Sequence, residues 1–262
     1  MQRAMRTRFY SIALAFVLAA ASPAAFGASE GTAVGVDPDA VARINSQDRI
    51  LEAGTDVSVG ELIVTGPSGQ VQIVFDDDTR LVVGPSSSLK IETYLLASSN
   101  VAQKLTINAL GGSFRFITGN SPKPAYSINT PTASIAVRGT KLDLLVGSIG
   151  TGVMLYEGAL QLCAKSSACV ELTDRCEIGT AVRGGAELIM RANPEHPPLA
   201  MQFRYARFQT PLLNPFRING ASNCVAAQQG GAPSTIITES GGSETETPTP
   251  RPTPTPVPTP GN

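Results

Sequence analysis

Asn129-Thr130-Pro131-Thr132-Ala133-Ser134-Ile135-Ala136-Val137-Arg138-Gly139-Thr140-Lys141-Leu142-Asp143-Leu144-Leu145-Val146 is the stretch whose reading decides the fold. Apolar and polar residues alternate over Ala133 to Arg138, so Ile135 and Val137 share one face and Arg138 takes the other. A second alternating run covers Lys141 to Val146. Alternation with a period of two marks strands with one buried face. Between the runs, Gly139 admits a bulge, because only glycine takes positive φ without a Cβ clash. Thr140 can satisfy a backbone group there. On this reading Arg138-Gly139-Thr140 is a structural corner rather than a ligand site.

The same pattern repeats outward in both directions. Val71, Ile73 and Phe75 fall on one face of Val71-Gln72-Ile73-Val74-Phe75, and Ser113-Phe114-Arg115-Phe116 points both Phe inward and Ser and Arg outward. Tyr126-Ser127-Ile128-Asn129 continues the series. About ten such runs lie between residues 60 and 190, without a helical period. Turn residues punctuate them at Gly66-Pro67-Ser68-Gly69, Asp76-Asp77-Asp78-Thr79, Gly111-Gly112 and Glu157-Gly158. The class is all-β, with short strands in a sandwich or a short solenoid, and the close spacing leans towards the solenoid-like coil. Its edges would need covering. After Glu187 the character changes: Pro194, Pro197 and Pro198 precede Leu199 to Phe208, whose apolar positions 199, 203 and 206 predict one amphipathic helix ending before Pro211. This small helical appendage is expected to cap an open end of the β core.

The ends are of a different kind. Arg3, Arg6 and Arg8 precede the apolar run Ile12 to Ala21 and small residues up to Ala28, the layout of a secretory signal peptide cleaved after Gly27 or Ala28. The run is about half of the ~20 residues a spanning helix needs, and no later stretch is apolar enough. From Pro233 the chain is Ser, Thr, Gly, Glu and Pro, closing in alternating Thr-Pro, a composition that stays solvated and extended. The expected organisation is a signal peptide over 1–28, a β domain over 29–190, a C-terminal appendage over 191–230 and a Thr/Pro-rich tail over 231–262. Net charge is −1 at pH 7 and no basic cluster occurs, so nucleic acid is not the expected partner. Trp is absent, which weakens a sugar-stacking platform.

From about Gly60 to Val182 the chain resembles the FecR domain family. The matching pieces are Val64-Thr65-Gly66-Pro67-Ser68-Gly69, Val74-Phe75-Asp76-Asp77-Asp78-Thr79, Gly84-Pro85-Ser86-Ser87-Ser88-Leu89, Leu110-Gly111-Gly112-Ser113-Phe114-Arg115-Phe116, the segment from Asn129 to Thr140, and Val153-Met154-Leu155-Tyr156-Glu157-Gly158. Thr130, Pro131, Val137, Arg138, Gly139 and Thr140 form the most specific piece, read as structural. The resemblance implies a periplasmic sensing module that works with an envelope or membrane protein partner. Sigma-regulating members resemble one another in a cytoplasmic segment and a transmembrane helix ahead of this domain. A signal peptide stands there in this chain, so direct sigma regulation is not expected. The alternative is a structural envelope module holding polysaccharide or peptidoglycan, with the tail as spacer.

Candidate chemistry is sparse. His196, the only histidine, has no nucleophile beside it and reads as a surface residue. Asp76, Asp77 and Asp78 could attract calcium, but the spacing of a calcium loop does not follow, and Asp favours turns. With no nucleophile–base pair and no cofactor fingerprint, the chain reads as a non-enzyme without cofactor or metal. Cys163, Cys169, Cys176 and Cys224 predict two disulfides in an oxidising compartment. A hairpin turning at Lys165-Ser166-Ser167 would set Cys163 opposite Cys169, at a distance a disulfide tolerates. Cys176 is then left for Cys224.

Overall fold

The computed structural model describes residues 30–122, 125–166 and 168–226; the expected signal peptide over 1–28 and the Thr/Pro-rich stretch from Pro233 lie outside the described residues. The strands are β1 (Gly31–Asp37), β2 (Ala40–Ile44), β3 (Gln47–Ile50), β4 (Thr55–Val57), β5 (Leu62–Thr65), β6 (Gln70–Phe75), β7 (Arg80–Val83) and β8 (Ser88–Ser98). They continue as β9 (Val101–Ile117), β10 (Tyr126–Asn129), β11 (Ala133–Val146), β12 (Gly150–Ala164), β13 (Cys169–Leu172), β14 (Ile178–Val182) and β15 (Gly185–Ile189). The protein is mostly strand with a small helical C-terminal part.

Hydrogen bonds join these strands into one continuous sheet, which folds into two layers because three strands pass from one layer to the other. The upper layer runs β4-β1-β6-β7, then residues 112–117 of β9, 141–146 of β11 and 151–157 of β12, then β14-β15. The lower layer runs β3-β2-β5-β8, then the first part of β9, β10, residues 133–138 of β11 and 159–164 of β12, then β13. Among these pairs only β9–β10 is parallel. A solenoid stacks successive coils in parallel, so of the two architectures left open the ladders describe the sandwich.

Glycine makes each crossing. Gly112, Gly139 and Gly158 have φ of 111°, 64° and 85°, the left-handed region that a side chain opposes. A Cβ on Gly158 would stand 1.9 Å from the carbonyl oxygen of Gly139, so the two corners press backbone against backbone. Two runs that the alternation separates, Ala133–Arg138 and Lys141–Val146, are therefore one strand bent at Gly139, with the register shift between Arg138 and Lys141.

The core lies between the layers. Ile73, Phe75, Leu81, Phe114, Phe116, Leu142 and Leu144 from above meet Ile63, Leu89, Ile107, Ile128, Ile135, Val137 and Leu162 from below. Phe116 meets Tyr126 edge-on at 5.9 Å, and Phe75 lies 5.6 Å from Tyr94. Burying each such side chain contributes about 1.5–3 kcal/mol.

Residues 191–226 form a strap across the outer face of the upper layer, not a cap on an open end. The expected single helix is two short ones, α1 (His196–Ala200) and α2 (Arg204–Arg207). Pro197 and Pro198 sit in the first turn of α1, where their missing N–H groups cost nothing. At Phe203 the chain is extended, and that ring packs within 3.4 Å of the Cβ position of Gly152. Two 3₁₀ turns follow, Asn214–Phe216 and Ala221–Cys224. The strap's Ala200, Phe203, Ala206, Ile218 and Ala221 bury against Ile117, Met154, Tyr156 and Ile178 of the sheet.

The disulfides are Cys163–Cys169, directly opposed in the β12–β13 ladder, and Cys176–Cys224, which joins the loop before β14 to the end of the strap.

Candidate functional site

The predicted motif residues form a corner. Thr130 Oγ1 accepts from Ala133 N at 2.8 Å and lies 2.7 Å from Thr151 Oγ1, which also stands 2.8 Å from Thr132 Oγ1. This hydroxyl cluster locks the turn before β11 to the start of β12. Val137 is in the core, Pro131 and Arg138 are exposed, and Arg138 makes a loose ion pair with Glu171 at 3.5 Å. Thr140 Oγ1 donates to the Ala159 carbonyl at 3.1 Å across the Gly139 bulge. The polar members of the six are thus held by backbone groups, by Thr151 and by Glu171, and none of the six lines the open groove beside the strap.

Two buried carboxylates organise the rest of the polar interior. Asp77, fully buried, sits in the β6–β7 turn; its Oδ1 accepts from Thr79 N at 3.1 Å, closing an Asx turn. Its Oδ2 accepts from Ser121 Oγ at 2.7 Å and Tyr126 Oη at 2.8 Å, while its own N–H donates to Tyr94 Oη at 3.0 Å. Burial, with the Asp77 charge adding to it, pushes both tyrosines above their ordinary range, so both hydroxyls remain protonated. The central Asp of the acidic run is therefore a clamp between the layers. Asp78 turns away and accepts from Asn120 Nδ2 at 2.6 Å.

The second carboxylate is Asp143. Arg115, which alternation places outward, is 0 % exposed because the strap covers it, and it forms a two-pronged ion pair with Asp143 at 2.7 and 2.9 Å. Tyr156 Oη donates to Asp143 at 2.7 Å, and the guanidinium lies over the Tyr156 and Tyr205 rings. Burial, the largest single influence, would pull Arg115 down, but the Asp143 charge and hydrogen bonds, with Tyr156 adding to them, together outweigh it and the group stays cationic. Arg115 also donates to Gln209 Oε1 and, at 3.3 Å, to the Phe216 carbonyl, both on the strap. Gln72 and Gln70 extend the seam to Leu213 N at 2.7 Å and Tyr205 Oη at 2.9 Å. His196 belongs here too. It is 3 % exposed with Nε2 2.5 Å from the Cys176 carbonyl, so the surface reading is corrected. The strap fold that buries it had no local signal beside His196.

Every buried side-chain N or O atom among the described residues has a partner. These networks are closed, and none presents a nucleophile with a base or an open coordination position. What stays open is a groove of about 370 Å³ where the strap ends short of the sheet margin. Its floor is Gly150 and Gly152 of β12 with Thr180 and Val182 of β14; Leu199 and Phe203 form one wall and the β11–β12 turn carrying Ile149 the other. Ile149 is 83 % exposed, the highest value among the large apolar residues on the described surface. Thr151 also borders the groove, but its hydroxyl is taken by Thr130 and Thr132. Sequence reading missed this site, since Gly147-Ser148-Ile149-Gly150 reads as a turn.

Residues 61–161, from the start of β5 into the second half of β12, match the family model described as FecR protein. The segment from Asn129 to Val146 lies inside that match, while β1–β4, β13–β15 and the strap lie beyond it. No curated protein matches the chain. Two crystal structures of a candidate anti-sigma factor from Parabacteroides distasonis ATCC 8503 are similar at 13 % and 12 % identity, with TM-scores of 0.39 and 0.40. The likeness covers 54 % of this chain and 64 % and 63 % of those chains, so it spans less than two thirds of their length.

Proposed function

We propose that this protein is a non-enzymatic sensing or adaptor module of the exported cell envelope, and that it binds a protein partner through the groove beside Ile149. The observation that carries this reading is the groove itself: an apolar, glycine-floored cleft left open on a molecule whose buried polar groups are otherwise partnered. The FecR match supports a signalling role, and two disulfides suit an oxidising compartment. Among the described residues no helix is long and apolar enough to cross a membrane. The polysaccharide alternative fits the groove less well. Once Thr151 is committed inward, Thr180 and Gln202 are the polar side chains left along it.

A photoreactive residue at Ile149 of the full chain, activated in cells, tests the reading. The expected result is one discrete protein adduct, absent when the same probe replaces Ile50 on the exposed β2–β3 hairpin. Adducts to glycan alone, or equal protein adducts at both positions, would reject it.

A further inference from the structure

The groove continues into two shallower depressions. One shares Ile149 and Val182 with it and is lined by Arg183; the other shares Gln202 and is lined by Met201, Arg204, Arg207 and Phe208. Among the described residues, the charged side chains along all three are Arg183, Arg204 and Arg207, and no carboxylate lines any of them. The ladder places Glu187 opposite Thr180, beside this face, yet it does not line the groove.

These arginines are also uncommitted. The ion pairs among the described residues use Arg43, Arg49, Lys90, Arg115, Arg138 and Lys141, none of which lines the groove or its two depressions. Arg204 lies over the Phe208 ring at 5.9 Å and Arg207 donates to the Met201 carbonyl at 3.2 Å, which orients both without neutralising either. An apolar trough bracketed by cations on both sides has a definite complement: apolar side chains to fill the trough and anions outside them. Arginine suits that task, since its planar guanidinium bonds a carboxylate through two parallel N–H groups.

Resting on the partner-binding reading above, we infer that the groove takes an acidic–apolar segment of a partner protein, with two or three apolar side chains over Gly150 and Gly152 and flanking Asp or Glu against Arg183 on one side and Arg204 and Arg207 on the other. A flat anionic membrane has the same charge but does not fill a cleft walled on opposite sides by a strap and a hairpin turn, so the peptide is the better complement. The volume of the groove suits side chains.

The test is selection of a random displayed 12-residue peptide library on the intact chain, with binding of the enriched peptides measured for purified variants. Sequences with apolar residues between acidic ones should be enriched. Binding of those peptides should fall at least about tenfold in R183E/R204E/R207E and in Ile149→Asp, and survive in the triple Arg→Lys variant. Unchanged thermal unfolding shows that the variants fold, and sedimentation with phosphatidylglycerol vesicles runs alongside. Enrichment without acidic residues, or binding indifferent to charge reversal, overturns the inference, while the in-cell adduct at Ile149 still decides partner binding separately. Vesicle binding that requires Ile149, with no groove-dependent peptide, overturns it in favour of a lipid surface.

Discussion

The upper layer has two faces, and both are buried, by different chemistry. Its inner face presents Phe114, Phe116, Leu142 and Leu144 to the lower layer, and dispersion and burial hold it, with the Asp77 clamp to Tyr94 and Tyr126 as a polar tie beside them. Its outer face presents Arg115, Asp143, Gln70 and Gln72 to a strap far downstream, and paired polar groups hold it together with the apolar contacts of Met154 and Ile178. The difference separates two kinds of requirement. Apolar packing tolerates many residues of fitting volume. A buried ion pair is unforgiving of losing one member, yet it contributes little beyond what an apolar pair of equal shape would.

The sharpest way to break that comparison is Arg115→Met, which leaves Asp143 buried without its cation. It should lower unfolding free energy by about 3–5 kcal/mol in urea titration, and adding Asp143→Leu should recover much of that loss. Phe114→Ala on the opposite face should cost about 3–5 kcal/mol as well, with no second substitution that restores it so simply. If the Arg115/Asp143 double variant is as unstable as Arg115→Met alone, the outer face is not held as described.

The disulfides sharpen the same contrast at lower energy. Cys176–Cys224 closes a loop with a sequence separation of 48 and ties the strap down, whereas Cys163–Cys169 spans 6 within one hairpin. Replacing the first pair by Ser should cost roughly 3–4 kcal/mol and the second about 2 kcal/mol in the chain-entropy account. Hydrogen exchange should rise over residues 191–226 only for the first. Equal exchange in both variants would mean that the polar seam alone secures the strap.

The smallest effect is one of pH. Burial raises Tyr94, Tyr126, Tyr156 and Tyr205 above the ordinary tyrosine range. The unfolded chain gives up these protons near pH 10 and the folded chain does not. Their contribution is therefore fully present below about pH 10 and is lost as pH rises from there towards the folded values. In protein truncated to remove residues 1–28, and with them Tyr10, tyrosinate absorbance should appear only together with loss of the far-ultraviolet β signal. A separate titration near pH 10 with the fold intact would place at least one ring in water.

The inner faces of both layers were legible in the sequence because alternation is local: Phe114 and Phe116 of the upper, and Ile135 and Val137 of the lower, announce their side within a few residues. The bulge at Gly139 was legible for the same reason. That Gly112, Gly139 and Gly158 are layer crossings was not, since a crossing is defined by which neighbours each half-strand finds. Arg115 and His196 were misread as solvent-facing because what covers them is distant in sequence. The groove was invisible for the complementary reason, being defined by where the strap stops.

The Cys176–Cys224 bridge has a consequence for survival of a proteolytic cut. Arg183 and Arg191 are exposed and lie inside the closed ring. A single cut after either leaves both pieces covalently joined, so a nicked molecule keeps its full mass until a reductant separates it. Damage at these positions would then be silent in a compartment that supplies no thiols, and the seam around Arg115 would hold the severed strap in register.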